Sequence, residues 1–275
     1  MCAIRSSLLT LLLFALGCVR SPVTDRRQIN IIPDRLMRDL GASAYADLLA
    51  KAEVDRSSAD ARRLAAVGKR IARVAAQRDF KWKYSLIDDN KTINAWCLPG
   101  GKIGFYTGIL PVLQNEAGMA FVMGHEVAHA AAHHGAERMT QQLSLLGGLT
   151  ALYLYLDKKT ELSEKQRGRV VAAVGLGAEV GLVLPFSRRQ ESEADIIGMM
   201  YMARAGYPPE ESVALWERMA AQAGGASVPV WLSTHPTTSQ RKARLRDWMA
   251  TARKKYERSE AVAGAQAVLW KPGAR

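Results

Sequence analysis

The residues whose types and spacing best suit chemistry are two histidines that flank a glutamate, His125, Glu126 and His129. Side chains four positions apart lie on the same face of a helix, so both imidazoles can bind a single Zn²⁺ ion. Glu126 lies beside them and can accept a proton from water at that ion. The apolar residues on both sides, 119–123 and 130–132, are typical of a buried helix. The alternative interpretation is a pair of buried structural histidines.

A catalytic zinc site uses three protein ligands and leaves one position for water. The segment 187–195 offers three carboxylates for the third ligand. Glu191 and Asp195 share a helix face, whereas Glu193 points about 200° round from Glu191. We therefore predict that Glu191 binds zinc and that Asp195 accepts a hydrogen bond from a ligand histidine. Glu193 is interpreted as a solvated or salt-bridged residue outside the site.

The remaining histidines have less specific surroundings. His133 and His134 follow the motif by about one turn but are rotated away from His125. We expect both to pack or cap near the end of the helix, before Gly135. His235 precedes a proline in a predicted loop, where it either takes part in catalysis or has no catalytic role.

The elements that must position these residues form a small sheet and a mostly helical body, which is an α+β fold. Helical spacing of apolar residues runs over 36–76, and again from residue 115 almost to the end. Interruptions occur at 206–209 and 224–236. Alternating or β-rich segments predict three strands. Those segments are 80–88, 92–98 and 103–107.

One of these strands is a candidate for binding an extended peptide. A protease can add its substrate as a strand to an exposed sheet edge, through backbone hydrogen bonds that do not depend on sequence. Residues 94–98, beginning Asn94, Ala95 and Trp96, are the candidate edge, and the alternative is an ordinary inner strand. Cys97 within this segment is interpreted as a small packed residue and not as a nucleophile.

Composition places the chain among ordinary globular proteins. Of its 275 residues 48% are hydrophobic and 23% charged, which excludes disorder, collagen and a coiled coil. The net charge of +12 suits an acidic partner such as anionic lipid. Basic residues concentrate at 241–258, on a predicted helix whose exposed face is either simply solvated or contacts phospholipid. No nucleic-acid-binding module is visible, so nucleic acid is not expected as a partner.

The N-terminus resembles an export signal. Arg5 precedes an apolar run at 8–17 that is too short to cross a bilayer but long enough for a signal peptide. The following Cys18 is a candidate for lipidation, and the alternative is simple secretion. After cleavage Cys97 would be the only free thiol, so no disulfide within the chain is expected.

Two later apolar stretches, 143–156 and 170–186, contain fourteen and seventeen residues. A helix that crosses a bilayer needs about twenty mostly apolar residues. We therefore expect core helices or a hairpin that dips into a membrane surface, without a true span.

The sequence resembles the HtpX-like and CAAX-prenyl-protease-type zinc metallopeptidases of peptidase family M48. The resemblance rests on the histidine motif and on Glu191 to Asp195 with Gly198 after it, and it extends from Val23 to Arg246. Further matching segments are 23–28, 94–96 with 99–101, 108–110, 206–209 and 234–236 with Arg241. Because no repeat domain or convincing span is visible, the chain is similar to the compact bacterial lipoprotein branch of the family.

The resemblance implies a gluzincin-type zincin fold whose edge strand binds substrate, and a zinc-dependent metalloendopeptidase activity. It implies quality control of misfolded proteins in the cell envelope, at the periplasmic side of the outer membrane. His235 would either stabilise the oxyanion or close over zinc as a fourth ligand, and Arg241 would assist with a carboxylate or with the oxyanion. The alternatives are a latched protease that acts mainly as a chaperone and a membrane-inserted protease.

These interpretations together predict an order of segments along the chain. Residues 1–17 form a signal peptide, and 18–35 form a segment anchored by lipid at Cys18. The metallopeptidase domain occupies 36–258, and 259–275 form a C-terminal tail.

Overall fold

A computed structural model of the chain describes residues 18–222, 230–236 and 238–271. The predicted signal peptide at 1–17 and the end of the predicted tail lie outside these ranges. The helices are α1 (Asp34–Leu49), α2 (Ala59–Ala75), α3 (Leu110–Leu113), α4 (Glu116–Ala131), α5 (His134–Lys159), α6 (Glu164–Ala178), α7 (Leu184–Arg204), α8 (Glu211–Gln222), α9 (Val230–Thr234) and α10 (Ser239–Tyr256). The strands are β1 (Cys18–Arg20), β2 (Arg27–Ile29), β3 (Val54–Asp55), β4 (Lys83–Ile87), β5 (Ala95–Leu98) and β6 (Lys102–Tyr106).

The sheet that adjoins the helical body has four strands in the order β3-β4-β6-β5. Strands β4 and β6 are parallel, while β3 and β5 pair antiparallel with their neighbours. The predicted α+β class, with a mostly helical body and a small sheet, is confirmed. Strand β5 lies at one edge of the sheet, paired on one side only, with Ala95 opposite Phe105. The alternative of an inner strand is therefore wrong.

The prediction of one continuous helical segment over 36–76 is wrong, because the chain turns between α1 and α2. Asp55 of β3 accepts hydrogen bonds from the backbone N–H groups of Ser57 and Ser58, each at 3.0 Å. Ser58 then caps α2, since its side chain accepts from the N–H of Ala61 at 3.0 Å. Short polar side chains of this kind bind the free N–H groups at a helix start, so a new helix begins here.

Helix α4, which carries the histidine motif, lies at the centre of the molecule. Its residues 117–129 are all buried, with α7 on one side and with α2 and β5 around it. Gly124 of α4 faces Gly198 of α7 so closely that a Cβ on Gly198 would lie 2.6 Å from the backbone N of His125. The two helices can approach this closely only because both positions lack a side chain.

The two apolar stretches do not form core helices, so that alternative is wrong. Residues 143–156 lie in α5, and residues 170–186 run from α6 into α7. Helices α5 and α6 pack against each other. Many of their apolar side chains are exposed, with Leu146 at 62% and Leu176 at 67%. Within the described ranges no helix combines the length and apolarity that crossing a membrane requires.

Both ends of the described chain pack against the helical body. Strands β1 and β2 form a hairpin, from which the Gln28 side chain donates to the carbonyl of Ala132 at 2.6 Å. At the other end, Trp270 is buried and donates from its indole to Asp60 at 2.9 Å. The described part of the predicted tail therefore packs on the domain.

Candidate metal centre

Helix α4 places the three motif residues together in the interior. Asn115 caps the helix, since its side chain accepts from the N–H of Gly118 at 2.8 Å. One turn separates the two imidazoles, and their Nε2 atoms lie 3.1 Å apart. Glu126, between them, is also buried. The structure therefore brings His125, Glu126 and His129 to one buried site.

Helix α7 brings Glu191 to the same point. Its Oε2 lies 3.4 Å from Nε2 of His125, and its Oε1 lies 3.4 Å from Nε2 of His129. With zinc bonds of about 2.0–2.2 Å, two ligands of a tetrahedral ion lie about 3.3–3.6 Å apart. The observed separations of 3.1–3.4 Å agree with that spacing. Two imidazole nitrogens and a carboxylate are also the donor types of catalytic zinc sites, so these residues fit zinc.

Asp195, one turn after Glu191, lies behind His125. Its Oδ1 is 3.0 Å from Nδ1 of His125, and the buried Arg241 donates to both of its oxygens, at 2.7 and 2.8 Å. Although burial raises the pKa of Asp195, the charge of Arg241 and the hydrogen bond to His125 outweigh it and lower that pKa. An ionised Asp195 keeps the proton of His125 on Nδ1, which leaves Nε2 free to bind a metal.

Arg241 therefore does not belong to an exposed basic face. Its side chain is buried, lies 4.3 Å over the ring of Trp216 and approaches Oε2 of Glu191 at 3.4 Å. Of the two forms of assistance expected of Arg241, contact with a carboxylate is the one that the structure shows. The guanidinium points at Asp195 and Glu191, where it orients the two carboxylates.

Glu193 is salt-bridged, which is one of the two alternatives expected for it, and His134 packs in the interior as expected. Both also connect to the site. Glu193 is 5% exposed and accepts from Arg26 at 2.6 Å. His134 lies 3.2 Å from the same carboxylate oxygen through Nε2, and 2.9 Å from Nδ1 of His129 through its own Nδ1. Glu193 and His134 therefore form a chain that ends on a predicted metal ligand.

Helical periodicity could not predict this connection. It gives only the direction of Glu193 relative to Glu191, and not which part of the chain covers that direction. The other face of α7 is covered by the N-terminal hairpin, whose Arg26 also pairs with Glu137 at 2.7 Å and whose Thr24 hydroxyl donates to Glu193. Burial raises the pKa of Glu193, but hydrogen bonds from His134, Thr24 and Arg26 lower it to about 2. The sequence signal for this contact was the segment 23–28, which is one of the segments on which the family resemblance rests. His133 lies elsewhere and pairs with Asp34 at 3.0 Å.

His235, just after α9, lies against the same cluster. Its Nδ1 is 2.8 Å from Oε2 of Glu191 and 3.2 Å from Nε2 of His125, and its Nε2 is 3.4 Å from Oε1 of Glu126. The candidate ligand atoms of His125, His129, Glu191 and His235 all lie within 4.8 Å of one another. This position is compatible with both roles expected of His235.

The sequence did not single out Trp231, a buried residue one turn before His235. Its indole Nε1 donates to Oε1 of Glu126 at 2.7 Å. The spacing from His235 within a short apolar segment was the only sequence signal for it.

The protonation states of the cluster follow from its burial. Burial lowers the pKa of His125, but hydrogen bonds to Asp195 and Glu191 outweigh it and raise that pKa to about 9. Burial holds the pKa of His129 well below its ordinary value. Burial would raise the pKa of Glu191, yet His129 and the surrounding hydrogen bonds hold it far below its usual range. Glu191 is therefore ionised, which is the state that a metal ligand requires.

The candidate substrate edge adjoins this cluster, since β5 packs on α4. Asn94 pairs with β6 through its carbonyl, which accepts from the N–H of Tyr106 at 3.1 Å. Ala95 is buried and Trp96 is half-buried. Cys97 is half-buried, and burial together with the nearby charge of Glu126 raises the pKa of its thiol. A raised pKa disfavours the thiolate, which agrees with a packing role.

Cys18, the predicted lipidation site, is the first residue of β1. Its chemistry stays a prediction.

Known proteins that are similar in sequence are peptidases by name. A model of the family described as Peptidase family M48 matches residues 58–249. "Mitochondrial metalloendopeptidase OMA1" of Schizosaccharomyces pombe is 34% identical over 87% of this chain and 68% of its own length. "Metalloprotease YcaL" of Escherichia coli is 25% identical over 82% and 86%. "Beta-barrel assembly-enhancing protease" of Escherichia coli is 28% identical over 66% of this chain and 37% of its own length.

Proposed function

The chain belongs to peptidase family M48 and is a zinc metalloendopeptidase, and from this premise we propose that it degrades misfolded or misassembled proteins of the bacterial cell envelope. The observation that carries the chemistry is the convergence of His125, His129 and Glu191 on one point, with Glu126 beside them. The proposed role in quality control rests on the edge strand β5 beside the metal centre and on the names of the relatives.

In the proposed reaction, residues of this chain transfer a proton from water to the leaving amine and orient the metal ligands. His125, His129 and Glu191 would hold the zinc ion, which would supply Lewis acidity towards the scissile carbonyl and water. Glu126 accepts the proton of the attacking water and then delivers it to the leaving amine. Asp195 holds the orientation of His125 throughout. His235, whose Nε2 lies 3.4 Å from Oε1 of Glu126, would donate a hydrogen bond to the developing oxyanion.

The substrate class follows from the edge strand β5. An extended peptide that adds to this edge is held by backbone hydrogen bonds, which every sequence offers. Folded proteins rarely present an unpaired extended segment, because natural sheets protect their edges. The geometry therefore favours unfolded or misfolded proteins as substrates, bound along Asn94, Ala95 and Trp96.

Two kinds of observation support a location at the periplasmic side of the outer membrane. The relatives include an Escherichia coli protein whose name refers to β-barrel assembly, and Cys18 follows a predicted signal peptide. Lipid on Cys18 would anchor the domain, and the basic residues of α10 would add attraction to anionic phospholipid. Another relative is mitochondrial by name, so the assignment to the compact bacterial lipoprotein branch stays part of the proposal.

Cleavage of casein by residues 19–275 tests the proposed activity. Casein is unfolded, so it offers extended segments to β5. The chain should cut it, and the Glu126→Gln variant, which keeps the shape of the side chain but cannot accept a proton, should not. A chain that contains stoichiometric zinc and cuts neither casein nor another unfolded protein would contradict the proposal.

A latched protease that mainly binds clients is a second candidate, favoured by the contacts of His235 with Glu191 and Glu126. The His235→Ala variant separates the possibilities. Lost cleavage at unchanged zinc content supports the oxyanion role, and increased cleavage supports the latch. Unchanged cleavage rules out both roles.

A further inference from the structure

Glu126 is held by an indole, and we propose that Trp231 is the positioning residue that fixes its carboxylate for proton transfer. The Nε1–H of Trp231 donates to Oε1 of Glu126 at 2.7 Å. Both side chains are buried, where a hydrogen bond to a charged group is stronger than in water. The inference rests on the peptidase activity proposed above and adds a residue to that site.

The indole is itself fixed from two sides. The backbone N–H of Trp231 donates to the carbonyl of Ile93 at 3.1 Å, just before the candidate substrate edge. The ring stacks on that of Trp216, with the centroids 5.1 Å apart and the planes at 29°. A donor that is already immobile costs little conformational entropy to use, so it can hold the carboxylate in one rotamer.

The hydrogen bond distinguishes the two oxygens of Glu126. Trp231 binds Oε1, which His235 also approaches at 3.4 Å. Among the described residues no hydrogen bond or ion pair reaches Oε2. A general base needs one oxygen within reach of the proton that it accepts. Trp231 therefore fixes the carboxylate through Oε1 and leaves Oε2 as the oxygen available to accept a proton.

Trp270 provides a matched control outside the metal centre. It is buried, and its indole Nε1–H donates to the carboxylate of Asp60 at 2.9 Å. Phenylalanine at either position keeps an aromatic ring and removes one indole hydrogen bond to a carboxylate. Only Trp231→Phe removes the hydrogen bond to Glu126.

Steady-state cleavage of fluorescently labelled casein tests the proposal on residues 19–275 loaded with zinc. Trp231→Phe should lower kcat about tenfold, the effect of losing one hydrogen bond to a charged group, with KM within about twofold of wild type. Trp270→Phe should keep kcat within about twofold. Equal kcat for Trp231→Phe and wild type, or an equal loss in both variants, would overturn the proposal. A wild type that cuts nothing would instead remove the peptidase activity itself.

A spectroscopic measurement gives an answer without turnover. In protein labelled with ¹⁵N-tryptophan, the Nε1–H signal of Trp231 is the one that Trp231→Phe removes. Glu126→Gln replaces a charged acceptor by a neutral one, so this signal should move while that of Trp270, whose partner is Asp60, stays in place. If the Trp231 signal is unchanged in Glu126→Gln, the hydrogen bond does not exist in solution and the proposal fails.

Discussion

Gly198 lets α7 approach the histidine helix, so its replacement by alanine should open the metal centre. A Cβ at this position would lie 2.6 Å from the backbone N of His125 and 2.9 Å from the carbonyl carbon of Gly124. Ordinary contacts of a Cβ begin at 3.4 Å, so the helices must separate by about 0.8 Å. Metal sites tolerate deviations of about 0.2 Å in ligand distance. Glu191, on α7, would then no longer reach a zinc ion held by the two histidines.

We expect Gly198→Ala to weaken zinc binding at least about tenfold and to lower the free energy of unfolding by roughly 1–3 kcal/mol. Competition with a chromophoric chelator measures the first quantity, and urea unfolding measures the second. Gly148→Ala is the matched control, because a Cβ there meets no atom within 4 Å and a helical alanine stabilises by up to about 1 kcal/mol. Wild-type zinc affinity and cleavage in Gly198→Ala would refute the reasoning.

Three further predictions concern the thiol, the buried carboxylate and the metal. In residues 19–275, Cys97 should react with iodoacetamide at pH 8 far more slowly in the native protein than in urea, because its pKa is raised; equal rates would contradict this. The folded-state pKa of Glu193 is about 2, so its stabilisation is present above the ordinary pKa of about 4.3 and is lost as the pH falls towards 2. Wild type should therefore lose more stability than Glu193→Gln between pH 5 and 3 in chemical unfolding, and parallel curves would be inconsistent with that pKa. Phenanthroline should abolish casein cleavage and added zinc should restore it, whereas resistant cleavage would exclude zinc.

Local spacing carries much of the metal centre. His125 and His129 lie on one helix four residues apart, and Glu191 and Asp195 do the same on another helix, so periodicity alone predicts which side chains share a face. The structure brings these two faces together. The edge position of β5 also agrees with the prediction from the sequence. The strands themselves could be predicted because the β-rich segments and the glycine turn at 99–101 are local signals.

Long-range contacts are what the sequence could not provide. Glu193 differs from a solvated glutamate because Arg26, Thr24 and His134, all distant in the chain, contact it. Trp231 reaches Glu126 across 105 residues of the chain. The break before α2 depended on the side chain of Asp55, which offered an alternative to helical hydrogen bonds at residues that otherwise continue the pattern.

Zinc content is the measurement that tests the metal centre most directly. Purified residues 19–275 should contain one zinc ion per chain by atomic absorption. Glu191→Ala should lose most of it after dialysis, while Glu161→Ala, which removes an exposed carboxylate before α6, should keep it. Stoichiometric zinc in Glu191→Ala, held as tightly as in wild type, would contradict the assignment of the third ligand and the site built around it.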